Sequence, residues 1–288
     1  MRMAFRNLWV AGCIVAVSHS RAALTINLTP DAGLSGNAAA LAAFDRAAQQ
    51  WEVLLADNVT VNINAGFAAL GSNTLGTASS VTLQSSYNSI RNQMVADNAA
   101  EGARTDAIVA SLPTAAQLSL SLPAGVTYNG LLVASKANLK AMGFTGLDAS
   151  FGASDATITF SSQFAFDLDN SDGVTPGTID FESVAAHEIG HALGFFSVVD
   201  SIVGGATNVP LFALDLFRFS TASLPASSAN FTSFPRTLQP GTNASFSDTA
   251  DSWRFSTGTS GDGRQASHWK ANELTGFLIG IMDPTLAF

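Results

Sequence analysis

Apolar and polar positions recur in two rhythms along the chain. In "NAAALAAFDRAAQQWEVLLADN" (37–58), Ala40, Phe44, Ala47, Ala48, Trp51 and Leu54 or Leu55 return at the spacing of one helical face. That pattern predicts an amphipathic helix. "VTVNINAGF" (59–67) switches to period two, with Val59, Val61 and Ile63 alternating with polar residues, which predicts a strand with one buried face. "ALTINLTP" (23–30) reads as a short strand ahead of the helix, so the opening unit is strand, helix, strand, as in a mixed sheet. Residues 83–112 predict interrupted helix. "VTYNGLLVAS" (126–135) and "ATITFSS" (156–162) predict further strands, the first assigned to a sheet edge beside a cleft. "TIDFESVAAHEIGHALG" predicts a helix that opens at Thr178 or Asp180, both good N-caps, and closes at Gly194 with a left-handed turn. Beyond Gly194 the periodicity fades, and Ser, Thr, Gly, Pro and Phe dominate 201–267 around one compact apolar piece, "PLFALDLFRFS" (210–220). The expected class is α+β, with a sheet-and-helix segment over 23–194 and an irregular segment over 195–288.

The first residues predict targeting rather than fold. Arg2 and Arg6 precede the apolar run "NLWVAGCIVAV", which is too short to span a bilayer, and "SHSRA" offers small residues at Ser20 and Ala22. This is the three-part pattern of a secretory signal peptide over 1–22, and it implies a secreted, extracellular or periplasmic protein. Removing Arg2, Arg6 and Arg21 takes the 13 basic residues to 10 against 22 acidic ones, a formal charge of −12 in place of −9. Cys13 leaves as well, so no disulfide is expected to staple the mature chain. The acidic excess argues against nucleic acid and against anionic membrane surfaces as partners. No apolar run after the signal segment is long enough to cross a membrane.

The chemistry concentrates in "VAAHEIGHALGFFS" (184–197). His187 and His191 stand at i and i+4, one turn apart on one helical face, so their imidazoles can converge on one ion. Glu188 is displaced about 100° round the helix, placed to reach a water rather than the ion and to act as general base. A catalytic zinc takes three protein ligands, so this motif needs one more. Ser197 is a poor ligand. Of the four histidines, His19 leaves with the signal segment, and His268 in "GDGRQASHWK" (261–270) is the remaining imidazole. Asp200, nine residues after His191, is the next alternative, followed by Asp215 and Glu182.

"HEIGHALG" followed by "IMDP" (281–284) resembles the metzincin clan of zinc peptidases, and "HALGF" with the later "SHWKANEL" (267–274) is most similar to its leishmanolysin-like group. The resemblance implies zinc ligands at His187, His191 and His268, Glu188 as catalytic base, and Met282 as the methionine of a turn beneath the zinc. It also implies a two-lobed metzincin fold, with a twisted mixed sheet and helices in the first lobe and an irregular second lobe. Thr275 stands where leishmanolysins place their methionine, and Met282 follows later.

The expected function is a secreted zinc endopeptidase acting on protein or peptide substrates. The alternative is a secreted binding or matrix protein with a structural or vestigial zinc. "DLDNSDG" (167–173) has the look of a calcium loop, but the EF-hand frame puts Leu168 at position 1 and Ile179 at position 12. A solvated turn is expected there, with a non-EF structural calcium site as the alternative. Lys136 and Lys140 are expected on a solvated helix face, and "SGDGR" (260–264) as a flexible turn.

Overall fold

A computed structural model describes residues 24–100 and 106–285. The expected signal peptide lies outside the described residues. The long amphipathic helix forms over Ala38–Leu54, with the Asn37 side chain accepting from the Ala40 N–H at 3.1 Å. Ala40, Ala43, Phe44, Ala47 and Ala48 form its buried face, as the period-3.6 pattern predicts. Leu54 is exposed, and it is Leu55 that packs against the core.

Thr25–Pro30, Thr60–Ala68 and Ala156–Ser161 pair in parallel, and Gly76–Ser80 adds antiparallel to the last of them. The order is therefore Thr25–Pro30, Thr60–Ala68, Ala156–Ser161, Gly76–Ser80, with the antiparallel strand at one edge. Helices Ala38–Leu54 and Phe181–Ala192 pack with this sheet around one core. At its centre Phe160 meets Phe44 at 5.2 Å and Phe181 at 4.5 Å between ring centroids. The histidine helix is fixed to the long helix by the Trp51 indole N–H, which donates to the Ala186 carbonyl at 2.9 Å.

The second sheet has the order Asn208–Phe212, Thr127–Ser135, Thr82–Ser86. The strand expected over 126–135 therefore exists but is central, flanked on both sides, and cannot be the free edge beside a cleft. Its Leu132 and Ala134 are buried in a second core with Tyr87, Ile90, Val198, Leu211 and Phe231, drawn from both sides of Gly194 in sequence. The residues after Gly194 are more regular than their composition predicts. They contribute four short strands, Ser252–Phe255, Ala244–Ser247, Arg218–Ser220 and Arg236–Thr237, to a five-stranded sheet completed by Leu120–Ser121. Strands of two to four residues are too short to show a period in sequence. Their cross-links are two buried arginines: Arg236 stacks between Phe219 and Phe231 at 4.8 and 4.9 Å, and Arg218 covers Phe255 at 4.8 Å. The molecule is thus α+β with mixed sheets, and no helix among the described residues is long and apolar enough to cross a membrane.

Lys136 departs from the sequence expectation. It is 0% exposed, and its ammonium lies 2.9 Å from Asp148 and 3.3 Å from the equally buried Asp155. Lys140 reaches the same two carboxylates at 3.2 and 2.9 Å, and Asp155 also accepts from the Asn62 N–H at 2.7 Å. The apparent surface face is a four-charge knot tying the first sheet to the helix after the second. Removing one partner of a buried pair strands the other charge, which costs about 3–5 kcal/mol. Lys140 keeps both carboxylates paired when Lys136 is removed, so Lys136→Ala is expected to fall short of that, lowering the unfolding free energy by about 1–3 kcal/mol in urea titrations. A loss under about 1 kcal/mol, the range of exposed pairs, would contradict the assignment.

Candidate metal centre

Helix Phe181–Ala192 opens where the sequence predicts, with the Asp180 carboxylate accepting from the Glu182 N–H at 3.1 Å. It closes at Gly194, whose φ of 115° is open to glycine but strained for other residues. The Phe195 N–H bonds the Gly190 carbonyl at 3.1 Å and the Gly194 N–H the His191 carbonyl at 3.0 Å, the paired bonds of a Schellman turn. A Cβ at Gly194 would also overlap the Asn138 side chain, which donates to the Leu193 carbonyl at 2.5 Å.

The turn has a chemical consequence. It carries the Phe195 carbonyl back over the helix, where it meets His191 Nδ1 at 2.7 Å. His187 Nδ1 meets the Ile281 carbonyl at 2.8 Å, and His268 Nδ1 meets the Gln265 carbonyl at 3.3 Å. A carbonyl can only accept, so each Nδ1 carries the proton and each Nε2 presents a lone pair. The three Nε2 atoms face one another at 3.1, 3.2 and 3.2 Å. Lone pairs so placed repel unless a cation lies among them. A tetrahedral ion with bonds of about 2.0–2.1 Å holds its ligand nitrogens about 3.3 Å apart, so the triangle fits such an ion closely. Burial lowers the proton affinity of all three rings, His191 to about 4, and the crowding of neighbouring imidazoles adds to this at His191 and His268. Each ring is thereby biased toward the neutral form, the form that ligates. Among the described residues, this triad is the one group of His, Cys, Asp or Glu side chains that converges as a metal site.

The alternatives to His268 have other work. Asp200 accepts from the N–H groups of Ala266 and Ser267 at 2.6 and 2.9 Å, and from the Ser267 hydroxyl. It grips the chain just before His268. Ser197, at the position where a nearby third ligand could have stood, caps helix Val198–Val203 and donates to the fully buried Asp215 at 2.6 Å; its N–H donates to Ser267 at 2.9 Å. Glu182 pairs with Arg46 at 2.8 Å. The "SGDGR" segment is organised rather than loose: Asp262 accepts from the Thr257 N–H at 3.1 Å and pairs with Lys270 at 3.0 Å, bracketing His268. The Asp-rich turn at 167–173 is also internally satisfied, since Asp167 accepts from the N–H groups of Asp169 and Thr175 and Asp169 from that of Ser171.

Met282 lies buried beneath the helix, and its sulfur packs where a side chain on Gly190 would be. The residues separating it from "EL" form an exposed loop: helix Asn272–Thr275 ends at Gly276, φ 82°, Phe277 and Leu278 face outward, and the chain returns to place Ile281 on His187.

Glu188 is 6% exposed, and burial pushes its carboxyl up to about 7. It packs against the backbone of Gly76, where an added Cβ would stand 2.8 Å from Oε1. Triad and carboxylate share a cleft of about 860 Å³, walled on one side by edge strand Gly76–Ser80 and on the other by residues 263–268 and 283–285. The strand is tied down by the Ser80 hydroxyl, which donates to the His191 carbonyl at 2.9 Å. This edge is not legible in the sequence because "GTASS" (76–80) lacks the apolar alternation of a half-buried strand.

A ligand and a residue that only holds a ligand in place respond differently. His268→Ala is expected to abolish stoichiometric retention of an added divalent metal. Asp200→Ala is expected to retain the site but weaken affinity about 10–100-fold, measured by chelator competition. Full retention by His268→Ala would remove it from the site. No family model, curated protein or solved structure matches the chain.

Proposed function

We propose that the protein is a secreted zinc endopeptidase of the metzincin type, two-lobed and most similar to the leishmanolysin-like group. The observation that carries this reading is the convergence of three Nε2 lone pairs beside a buried glutamate in a cleft with a free strand edge. His187, His191 and His268 would hold the zinc. The neutral imidazole set with carbonyl-bound Nδ1 atoms suits that ion.

An extended peptide pairs with the open edge of Gly76–Ser80 by main-chain hydrogen bonds, which fixes its backbone along the cleft whatever its side chains. When bound, zinc supplies Lewis acidity, polarising the scissile carbonyl and making water more acidic. Glu188 orients the attacking water, accepts its proton and passes it to the departing amine nitrogen. A carboxyl whose burial raises its proton affinity to about 7 can both take and give a proton near neutral pH. Gly76 keeps this carboxylate against the strand that holds the substrate, so nucleophile and peptide are positioned by the same contact.

Zinc-loaded protein is expected to cleave casein and to lose the activity to a chelator. Glu188→Gln is expected to lower turnover by at least about 10²-fold with zinc still bound. Folded, zinc-loaded protein that leaves casein and unstructured peptides intact would favour a binding or matrix protein with a structural zinc.

A further inference from the structure

Asp283 follows the buried methionine directly and is itself 5% exposed. Its Oδ1 builds the turn, accepting from the Thr285 N–H at 3.0 Å and the Thr285 hydroxyl at 2.8 Å. Its Oδ2 is buried and has no hydrogen-bond partner among the described residues. A carboxylate oxygen in that state is unfavourable unless a donor comes to it. The residue lines the same cleft as His187, Glu188 and the edge strand, so a small rotation of its carboxyl would turn Oδ2 to a donor carried by whatever occupies the cleft.

Among the described side chains that line the cleft, no free cation is left for this carboxylate. The one other charged residue on that wall, Arg264, pairs with Glu273 at 2.8 Å. Arg264 is thereby neutralised within the wall. The neighbouring imidazole of His187 turns its Nδ1 proton to Ile281. The chain as a whole carries 22 acidic against 13 basic residues, a field that draws cations toward a cleft. A role confined to the turn would need Oδ1 alone, and asparagine would serve it equally.

We infer that Asp283 is a specificity-determining residue, receiving the ammonium or guanidinium of a lysine or arginine side chain in the bound peptide. The inference rests on the peptidase reading for its substrate class. A charge-assisted hydrogen bond made in a buried wall discriminates by about tenfold or more against a side chain of equal length without the charge.

Cleavage sites in a mixed peptide library, mapped by mass spectrometry, should show lysine or arginine at one fixed position. Matched peptides with lysine or norleucine there should then differ by about tenfold or more in kcat/KM for the wild type. The ratio should fall to within about twofold in Asp283→Asn, which keeps Oδ1 and the turn. Sites without a basic preference, or an unchanged ratio in Asp283→Asn, would overturn the inference. If no peptide is cleaved, the peptidase reading fails, and binding decides the point separately. Basic and neutral library peptides titrated into the zinc-loaded protein should bind with the same preference, lost in Asp283→Asn, whereas equal binding overturns it.

Discussion

Three imidazole nitrogens, each with its lone pair turned inward and only 3.1–3.2 Å apart, are the constraint on which the rest of the structure depends. Neutral rings in this arrangement repel, and no exchange of protons among them relieves it while every Nδ1 remains bonded to a carbonyl. The arrangement makes physical sense as a cation site, and the free energy of cation binding is then free energy of folding. That matters for a chain whose single cysteine, Cys13, has no second cysteine to pair with. The centre draws its parts from widely separated segments: the histidine helix, a loop 77 residues past His191, and a turn 94 residues past His187.

The backbone near each histidine is shaped to deliver one carbonyl. The Schellman turn at Gly194 brings Phe195 to His191, and the turn around Met282 brings Ile281 to His187. Helix termination and methionine packing are therefore steps in fixing tautomers. Asp200 performs the equivalent task on the third segment by holding the amides of Ala266 and Ser267, and Ser197 links that segment to Asp215 and the second core. The position that lacks a nearby ligand became a junction that orients the distant one.

The long helix, the parallel strands and the histidine helix were legible because each has a buried face long enough to impose a period, as at Val61, Ile63, Phe44 and Ala47. The histidine group that could hold a metal was legible by counting histidines, which is independent of the fold. The parts that escaped are those whose signals are three-dimensional. Gly76–Ser80 is small and polar, and is a strand through its neighbour's hydrogen bonds rather than its own side chains. Thr127–Ser135 looked like an edge because sequence gives the alternation of a strand but not its flanks. Lys136 sits in a lysine-and-polar helix start that reads as surface, and its burial depends on Asp155 arriving from another element. The number of residues between Asp200 and the motif suggested a ligand, and the carboxylate does reach the site, but toward backbone amides.

A zinc-edge X-ray absorption spectrum of the full-length protein loaded with one equivalent of zinc tests the central claim most directly. The proposed zinc site predicts three imidazole nitrogens at about 2.0–2.1 Å with one further light ligand. A first shell with two or fewer imidazoles, or failure of the folded protein to retain one equivalent of zinc, would contradict the account.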